Sequence, residues 1–535
     1  MEKSMNETKI LLVTGKQAKE LVKKYSKQSD LKTEVDALPI EIASFMNLNT
    51  FLKGLEDRDL EPFSMILVPG QAEFDLQKAE ETLGVPVFKG PKHAADIPFV
   101  LENFESLNLF KEIPAAEMLE EKISKRAEKQ LEKIKKETYE KMTENSNFKV
   151  GTEEKSVLAG PDFPLKIVAE IIDAPNLPKN RLLEQAAHYL ENGADILDIG
   201  MTTEEERSEE IPRIISQLRN NFEVPLSIDT TDRSEIETAL AEGIDMIISI
   251  DGSTIEHFSG LDVPSVIIPR KSKTGSIIQK PEERVKKLWD LIEKAIDLGY
   301  EKPIPDPILE PVNKGFTNSL SAFRKMRRDD PEIPLFMGVG NVIELFDADS
   351  IGMTALLVGM ASELDISFLL SVEASDKTKR NVSEMAKARD MMLLAERRNS
   401  VPKNLGIDLL QLKQKRLRFD PYDEEIEKHS EIIEASPSKE NSIQVGKYFK
   451  ISVLESRIVA VFHSSKKPNV VIKGENAEEV CREILEKGLV EKPSHAAYLG
   501  RELQKAEVAL RTGRGYVQEE KIFSPENRYP PREKT

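Results

Sequence analysis

Short apolar runs alternate with longer amphipathic stretches from Pro164 to about Arg398. This alternation is typical of strands that are interleaved with helices. Strands are predicted at Leu165–Ile172, Asp195–Ile199, Leu226–Asp229, Met246–Ile250, Ser265–Ile268, Ile304–Asp306, Leu335–Gly338 and Ile366–Ser371. Helices are predicted between them, for example at Pro281–Leu298, Ile343–Glu363 and Lys379–Arg397. Eight such units predict a (β/α)8 (TIM) barrel over residues 151–400. A doubly wound open sheet is the alternative, because it has the same local pattern.

A second alternation fills residues 1–113 and predicts an N-terminal three-layer α/β (Rossmann-like) domain. Strands are predicted at Lys9–Val13, near residues 34–40 and at Met65–Gly70. Gly15 and Gly70 come at the ends of two of these strands, where a loop can form a tight turn or hold an anion at a helix N-terminus. Neither GxGxxG nor a Walker sequence is present, so tight turns are favoured.

Residues 114–150 differ in pattern and predict a charged linker helix. Apolar residues recur at helical spacing, and acidic and basic residues are interleaved between them. The members of this apolar stripe are Leu119, Ile123, Ala127, Leu131 and Ile134. The stripe is shorter than a coiled coil normally requires. A connecting helix that rests on a neighbouring domain is therefore favoured over a dimerising coiled coil.

Beyond residue 400, predicted strands come first and helices follow. The strands are expected at residues 448–454, 458–463 and 469–472, and the helices at residues 477–487 and 496–510. This order predicts a C-terminal α+β domain over residues 401–535.

Composition narrows the functional classes. The chain has 535 residues and a formal net charge of −18, which argues against a nucleic-acid partner. Its one cysteine, Cys481, excludes an intrachain disulfide and a cysteine-built zinc site. No apolar run approaches the roughly 20 residues that span a bilayer, and the N-terminus lacks the apolar region of a signal peptide. A cytoplasmic protein without membrane contact is expected.

The residues that follow the barrel strands are strongly polar and include neither His nor Cys. They are Asp173, Asn176, Thr202, Thr203, Asp229, Ser249, Asp251, Arg270, Lys271, Lys273, Asp306, Glu310, Asn341, Glu373 and Lys377. In a TIM barrel these positions face the active-site mouth. A transition-metal site and a Ser-His-Asp triad are unsupported, and no metal is predicted. The carboxylates, amides and hydroxyls are suited to hydrogen bonding with a heterocycle. The basic loop is suited to electrostatic stabilisation of an anion.

Three ordered motifs resemble the pterin-binding barrels. Gly193–Gly200, Ser227–Thr230 and Asp306-Pro307 look like the second, third and sixth strands of that superfamily, which includes dihydropteroate synthases and pterin-dependent methyltransferases. Over roughly residues 160–400 the chain is most similar to archaeal dihydropteroate synthase-related proteins. The resemblance implies a TIM barrel with a pterin deep in its mouth. It also implies that Asp229 and Asp306 hydrogen-bond the amino-pyrimidinone edge of the pterin.

The chain departs from both patterns at positions that carry chemistry. Ile172 stands where dihydropteroate synthases have the Asn that helps to hold magnesium and pyrophosphate, and Ile248 replaces their fourth-strand Asn. Residues 201–204 lack their loop arginine, and residues 338–341 replace their Ser-Arg-Lys. Residues 340–342 instead resemble the Ser-Asn-Ile/Val turn of the pterin methyltransferases, where the Asn amide lies near the pterin N5.

The expected function is that of a transferase in tetrahydromethanopterin- or folate-type one-carbon metabolism. It would transfer a methyl group from a reduced pterin or condense a group onto it; a non-catalytic pterin-binding or regulatory scaffold is the alternative. Expected protein partners are a corrinoid or other methyl-acceptor protein, and a homodimer is compatible with the pattern. The expected pterin-binding residues are Asp229, Ser249, Asp306 and Asn341, the expected catalytic residues are Asn341 and Asp173, and the expected anion-binding residues are Arg270, Lys271, Lys273 and Lys377.

Each of these residues also has a structural interpretation. Asp229 can cap the helix that follows it, and Asp306 before Pro307 can form a routine turn. Asn341 can serve a left-handed turn after a glycine. The basic loop at Arg270 can be a solvated surface segment.

Overall fold

The computed structural model describes residues 8–104, 107, 109–140, 148–152, 156–202, 205–270, 277–403, 405–413, 428–433, 447–454, 456–464 and 469–523. The chain divides into two compact units near residue 411. Within the described ranges, no helix combines the length and the apolar character needed to cross a membrane.

A four-stranded parallel sheet organises the N-terminal domain. Its strands are β1 (Lys9–Thr14), β2 (Lys32–Ala37), β3 (Met65–Val68) and β4 (Val87–Lys89), in the order β2-β1-β3-β4. Its helices are α1 (Lys19–Ser26), α2 (Leu48–Gly54), α3 (Leu76–Leu83) and α4 (Ile97–Glu102). Leu11 and Ile66 belong to the apolar cluster on one face, and Ile10 and Leu67 to the cluster on the other. Burial on both faces confirms the predicted three-layer α/β architecture. Strand β4 was not predicted, because three residues carry too little pattern.

Helix α5 (Ala115–Glu140) follows, and then an antiparallel hairpin of β5 (Phe148–Gly151) and β6 (Ser156–Ala159). The segment 114–150, predicted as one linker helix, thus contains a helix and also the first strand of a hairpin. A strand of four residues is too short to show a period that sequence reasoning can separate from its surroundings.

Eight parallel strands form the barrel. They are β7 (Lys166–Ile171), β8 (Ile196–Gly200), β9 (Leu226–Asp229), β10 (Met246–Ile250), β11 (Ser265–Ile267), β12 (Pro303–Pro305), β13 (Phe336–Gly338) and β14 (Phe368–Val372). The sheet order is β12-β11-β10-β9-β8-β7-β14-β13, so the first barrel strand pairs with the last and the sheet curls into a nearly closed barrel. The predicted (β/α)8 barrel is confirmed, with strand ends within two residues of those predicted.

Helices cover the outside of this barrel. They are α6 (Lys179–Glu191), α7 (Ile211–Arg219), α8 (Arg233–Ala241), α9 (Pro281–Asp297), α10 (Phe316–Asp329), α12 (Ser350–Glu363) and α13 (Asn381–Arg397). The short helix α11 (Gly340–Ile343) directly follows β13 at its carboxyl end. The single helix predicted over residues 343–363 was wrong, because the chain is interrupted between α11 and α12. Asp349 has an extended backbone there, with ψ 131°, which ends helical continuity.

The β5–β6 hairpin closes the amino end of the barrel. Val150 and Ala159 are fully buried in one cluster with interior residues such as Met246, Phe336 and Phe368. Those three residues begin their strands, so the hairpin lies at the ends opposite the expected mouth. The carboxyl ends are therefore the open side on which polar groups can meet a ligand.

Helix α5 packs against the last barrel helix. Ala127 and Leu131 share a buried cluster with Leu394 of α13, and Glu137 pairs with Arg397 at 2.8 Å. Helix α5 thus rests on the outer helix layer of the barrel.

The C-terminal unit is an antiparallel sheet with two helices on one face. Its elements are β15 (Lys447–Leu454), β16 (Arg457–Ser464), β17 (Val470–Gly474), α14 (Ala477–Glu486) and α15 (Pro493–Thr512). Phe449, Ile458 and Phe462 of the sheet are buried with Val480 and Leu503 of the helices. This arrangement confirms the predicted α+β class.

Candidate functional site

Four carboxylates converge at the carboxyl ends of the barrel strands. Glu170 of β7 lies in register with Asp198 of β8, and Asp229 ends β9. One carboxylate oxygen from each of these three lies within 4.8 Å of the others. Asp306 follows β12 and lies close enough to Asp229 for the two charges to interact. The topology of the barrel therefore gathers four acidic side chains from four strands into one region.

Asp198 is the most enclosed member of this group. It is fully buried, and its Oδ1 accepts a hydrogen bond from Ser227 Oγ at 2.5 Å. Its Oδ2 has no hydrogen-bond partner among the described residues. A buried carboxylate oxygen without a donor is costly, so this atom requires a proton, a cation or a ligand donor.

Burial raises the pKa values of all four groups, and repulsion from neighbouring carboxylates adds to the effect in Glu170, Asp198 and Asp306. Burial, followed by the charge of Asp229, raises the pKa of Glu170 to about 7. Burial, with a smaller contribution from Asp229, also raises the pKa of Asp306 to about 7. Burial raises the pKa of Asp198 well above its ordinary value and raises that of Asp229 as well. Such perturbed carboxyls mark candidate functional sites.

A strained turn holds Ser249 against Asp229. The pairing of β10 with β11 shifts register between Ile247 and Ile250, and Ser249 has a φ of 73°. A non-glycine residue in this region stores strain, and irregular strand positions often re-aim a side chain beside an active site. Here the Ser249 hydroxyl hydrogen-bonds Asp229 and lowers the pKa of that carboxyl, against the effect of burial.

A second strained residue lies beside Asp306. Ile308 has a φ of 63°, which is a genuine outlier for a β-branched residue, and its N–H donates to Asp306 Oδ1 at 2.7 Å. The fully buried Arg284 of α9 donates to the carbonyls of Pro307 and Ile308 at 3.2 and 3.0 Å and pairs with Glu310. Arg284 therefore fixes the loop that carries Asp306, and Glu310, one of the predicted mouth residues, is neutralised by it.

Sequence reasoning missed Glu170 and Asp198, because it considered the residues after each strand and not those within it. The available signal was one acidic residue inside each of two mostly apolar strands. The neighbouring Gly200 has a structural reason to be glycine, since a Cβ there would lie 2.5 Å from Glu170 Oε1. The glycine leaves room for that carboxylate.

The remaining predicted residues lie in different settings. Asp173 has a left-handed backbone and accepts a hydrogen bond from Asn176 at 2.9 Å. Asn341 is exposed on the short helix α11. Lys377 donates to the carbonyl of Phe346 at 2.5 Å.

The predicted basic loop after the fifth strand is only partly described. Arg270 is half-buried, and its charge lowers the pKa of Asp229, against the effect of burial. Lys271 and Lys273 lie outside the described residues. Arg270 is therefore the part of this loop that the structure relates to the carboxylates.

The arrangement can receive positive charge or hydrogen-bond donors. Carboxylate oxygens are the ligands that a hard divalent cation prefers, so Glu170, Asp198 and Asp229 have the donor set for Mg²⁺. This set differs from the magnesium-side Asn of the dihydropteroate synthases, where Ile172 offers no ligand atom. A flat ring with an amino group and an N–H on one edge satisfies the same oxygens through hydrogen bonds.

Comparison with known proteins agrees with this geometry. Residues 176–296 match the family described as pterin binding enzyme, residues 445–519 match a family described as PterinBD-DUF4346, and residues 8–92 match a family of unknown function, DUF6513. The uncharacterized protein MJ0107 of Methanocaldococcus jannaschii is 35% identical over 535 residues, covering 96% of this chain and 99% of that protein. This chain belongs to the same family, which is related to the dihydropteroate synthases.

More distant relatives match shorter parts of the chain. A dihydropteroate synthase of Synechocystis is 37% identical over 84 residues, which cover 14% of this chain and 29% of that enzyme. A solved Yersinia pestis dihydropteroate synthase matches with 15% identity and a TM-score of 0.38 over 47% of this chain and all of the other. A Xanthomonas albilineans dihydropteroate synthase matches with 19% identity and a TM-score of 0.37 over 48% of this chain and 99% of its own. The family assignment rests on the full-length relative and on the pterin-binding match.

Proposed function

We propose that the barrel mouth binds a reduced pterin of the tetrahydromethanopterin or folate type and that the protein transfers a methyl group from it. The observation that carries the proposal is the pair Asp229 and Asp306 at the carboxyl rim. Among the described residues, neither forms an ion pair within 4 Å, and Asp306 accepts one backbone N–H. Their free lone pairs suit the amino group and N–H of an amino-pyrimidinone edge.

The electrostatics of the mouth favour methyl transfer over condensation. Methyl transfer to a nucleophilic acceptor requires N5 to be protonated before the methyl group leaves, because N5 keeps the bonding electron pair and departs as a neutral amine. The neighbourhood of N5 must therefore tolerate a positive charge before the transfer. Nearby carboxylates stabilise positive charge, whereas they repel a departing pyrophosphate. Ile172 also provides no side-chain amide for magnesium and pyrophosphate.

A third carboxyl of the same group can supply the proton. Glu170, which is not assigned to the amino-pyrimidinone edge, has a pKa raised to about 7, so near neutral pH it is protonated in a substantial fraction of molecules. A general acid is most effective when its pKa lies near the working pH. Asn341, which lies on α11, remains the predicted group for N5.

The test is turnover with two substrate pairs. The protein is incubated with N5-methylated tetrahydromethanopterin or tetrahydrofolate plus cob(I)alamin, and separately with hydroxymethyldihydropterin pyrophosphate plus an arylamine. Formation of methylcobalamin with loss of the methylated pterin is the expected result. Release of pyrophosphate in the second mixture, with no turnover in the first, would show that the protein catalyses condensation and not methyl transfer. Tight pterin binding without turnover of either mixture would favour a non-catalytic pterin-binding scaffold.

Pterin binding itself is tested with Asp229→Asn and Asp306→Asn. Each variant loses a charged acceptor, so the affinity for a reduced pterin should fall by about 1.5–3 kcal/mol in calorimetric titration. Asp297→Asn, on the exposed end of α9, is the matched control and should bind like the parent. Unchanged affinity in both mouth variants would refute the assignment of the pterin to this rim.

A further inference from the structure

A cavity of about 390 Å³ lies at the carboxyl ends of β1 and β3 in the N-terminal domain. The sheet order β2-β1-β3-β4 places β1 and β3 side by side in its centre. From β1 the chain continues to β2 on one side, and from β3 it continues to β4 on the other. This is a topological switch point, and ligands of open α/β sheets bind in the crevice at such a point.

The lining of this cavity has an apolar part and a polar part. Leu21, Ile42, Ala43 and Ile97 are apolar members, which suit the face of a flat ring. The polar members are Thr14, Gln17, Glu41, Ser44, Gln71, Lys92 and His93, and the Glu41 carboxylate is paired with Lys16 at 2.8 Å. The volume lies within the range of small-molecule sites, at roughly 300–1,000 Å³.

Thr14 is the polar side chain most enclosed in this lining. It ends β1 and is 2% exposed. Its hydroxyl makes no hydrogen bond to another described residue and is open to the cavity that the residue lines. A ligand oxygen in the cavity can therefore hydrogen-bond it.

The start of helix α1 borders the same space. Ala18 occupies the N-cap position, makes no side-chain capping bond and lines the cavity. The first N–H groups of a helix and its dipole favour an anion. Thr14 and α1 therefore present a hydroxyl and a helix start together at one end of the cavity.

The glycines of the two loops have a different role. A Cβ at Gly15 would lie 2.7 Å from the carbonyl of Glu41, and one at Gly70 would lie 2.7 Å from the carbonyl of Gly90. Both glycines permit close contact between neighbouring loops. They fix the walls of the cavity, as the tight-turn interpretation of the sequence predicts.

We propose that this cavity binds a small phosphate ester of the mononucleotide class. The phosphate lies against Thr14 and the start of α1, and the ring lies against Leu21, Ile42 and Ile97. This site is separate from the carboxylate site of the barrel and does not depend on the function proposed for it.

The test is calorimetric titration of the full-length protein with AMP, UMP and FMN. Adenosine, uridine, riboflavin and inorganic phosphate are the comparison probes. At least one phosphate ester should bind, and its dephosphorylated form should bind at least tenfold more weakly. Absence of binding by all three esters at millimolar concentration would overturn the proposal.

Substitutions in the lining of the cavity test where the phosphate of the bound ester lies. Ala18→Asp puts a carboxylate at the helix start and should weaken binding at least tenfold, whereas the nearly isosteric Ala18→Asn should retain most of it. Thr14→Val should weaken binding several-fold, and Thr33→Val on β2, outside the lining, should not. Asp306→Asn should leave ester binding unchanged. An ester that binds equally to Ala18→Asp and Ala18→Asn would show that the phosphate lies elsewhere and would also overturn the proposal.

Discussion

At the residue scale, the immediate neighbours of a carboxylate decide its role. Asp195 and Asp198 are three positions apart in one segment. Asp195 accepts hydrogen bonds from Arg389 at 2.6 Å and from the backbone N–H of Ile167 at 2.8 Å, so it connects elements of the barrel. Asp198 has no cation within ion-pair distance among the described residues and faces two other acids. Acidic residues of one short segment thus divide into a structural one and a candidate functional one.

The pH dependence of stability follows from Glu170. The pKa of Glu170 is raised to about 7 in the folded chain from an ordinary value of 4.5, so between these values the folded chain keeps a proton that the unfolded chain releases. Its contribution to stability is therefore fully present below about pH 4.5 and is lost as the pH rises through 7. Glutamine cannot ionise, so Glu170→Gln removes this pH dependence. The free energy of unfolding of the variant minus that of the parent, for the ligand-free protein, should be about 1–3 kcal/mol more positive at pH 8 than at pH 5. Denaturant titrations at both pH values measure this difference, and Glu293→Gln on the exposed side of α9 should show none.

Strain at Ser249 gives a second prediction. Ser249→Gly and Ser249→Ala both remove the hydroxyl that bonds Asp229, but only glycine adopts a φ of 73° without cost. The free energy of unfolding of the glycine variant should be about 1 kcal/mol higher than that of the alanine variant. Both variants should bind a reduced pterin more weakly than the parent. Equal stability of the two would mean that this backbone conformation is not strained.

At the element scale, helix α5 and the β5–β6 hairpin support the barrel away from its mouth. The hairpin fills the amino end, and α5 covers α13 through a small apolar cluster. Both elements come before the first barrel strand in the chain. They bury apolar surface that the barrel and its outer helices would otherwise expose, so their contribution is to stability.

Removal of the central apolar contact of α5 measures this contribution. Leu131 is 7% exposed within the cluster that contains Leu394, so Leu131→Ala should lower the free energy of unfolding by about 2–4 kcal/mol. Lys133→Ala, two residues farther along the same helix, is the control and should change it by less than about 0.5 kcal/mol. Both are compared by denaturant unfolding followed by circular dichroism. An effect of Leu131→Ala as small as that of the control would contradict the packing of α5 on α13.

At the scale of the whole molecule, the chain divides into two compact units near residue 411. The C-terminal unit has its own buried cluster, which joins the sheet to α14 and α15. Its two longest strands pair along their full length, from Lys447 with Ser464 to Leu454 with Arg457. A unit with its own core and its own pairing satisfies the requirements for independent folding.

Separate expression tests this division. A fragment of residues 424–535 should melt cooperatively, and a fragment of residues 1–423 should bind a reduced pterin with the affinity of the full chain, because all four mouth carboxylates belong to it. Loss of pterin affinity in the longer fragment would show that the C-terminal unit contributes to the site. A non-cooperative melt of the shorter one would show that its core is insufficient alone.

The sequence by itself determined most of the secondary structure and the fold class of each domain. The spacing of apolar residues was enough to predict the eight barrel strands, the layered N-terminal domain and the α+β class of the C-terminal unit, because these patterns have periods of two or 3.6 residues. Asp229 and Asp306 could be assigned to the rim from their position at the ends of strands. Short strands such as β4 and β5 were not predicted, because three or four residues are too few to show a hydrophobic repeat.

Tertiary structure decided which side chains meet. Glu170 and Asp198 lie 28 positions apart in the printed sequence and become neighbours only through the register of β7 with β8. The hydrogen bond of Ser249 to Asp229 depends on an irregular strand pairing, and the neutralisation of Glu310 depends on an arginine from α9. The N-terminal cavity exists only because the strand order places β1 beside β3. Each of these facts is a contact between distant segments, and such contacts follow from sheet closure and register, which a local hydrophobic pattern does not encode.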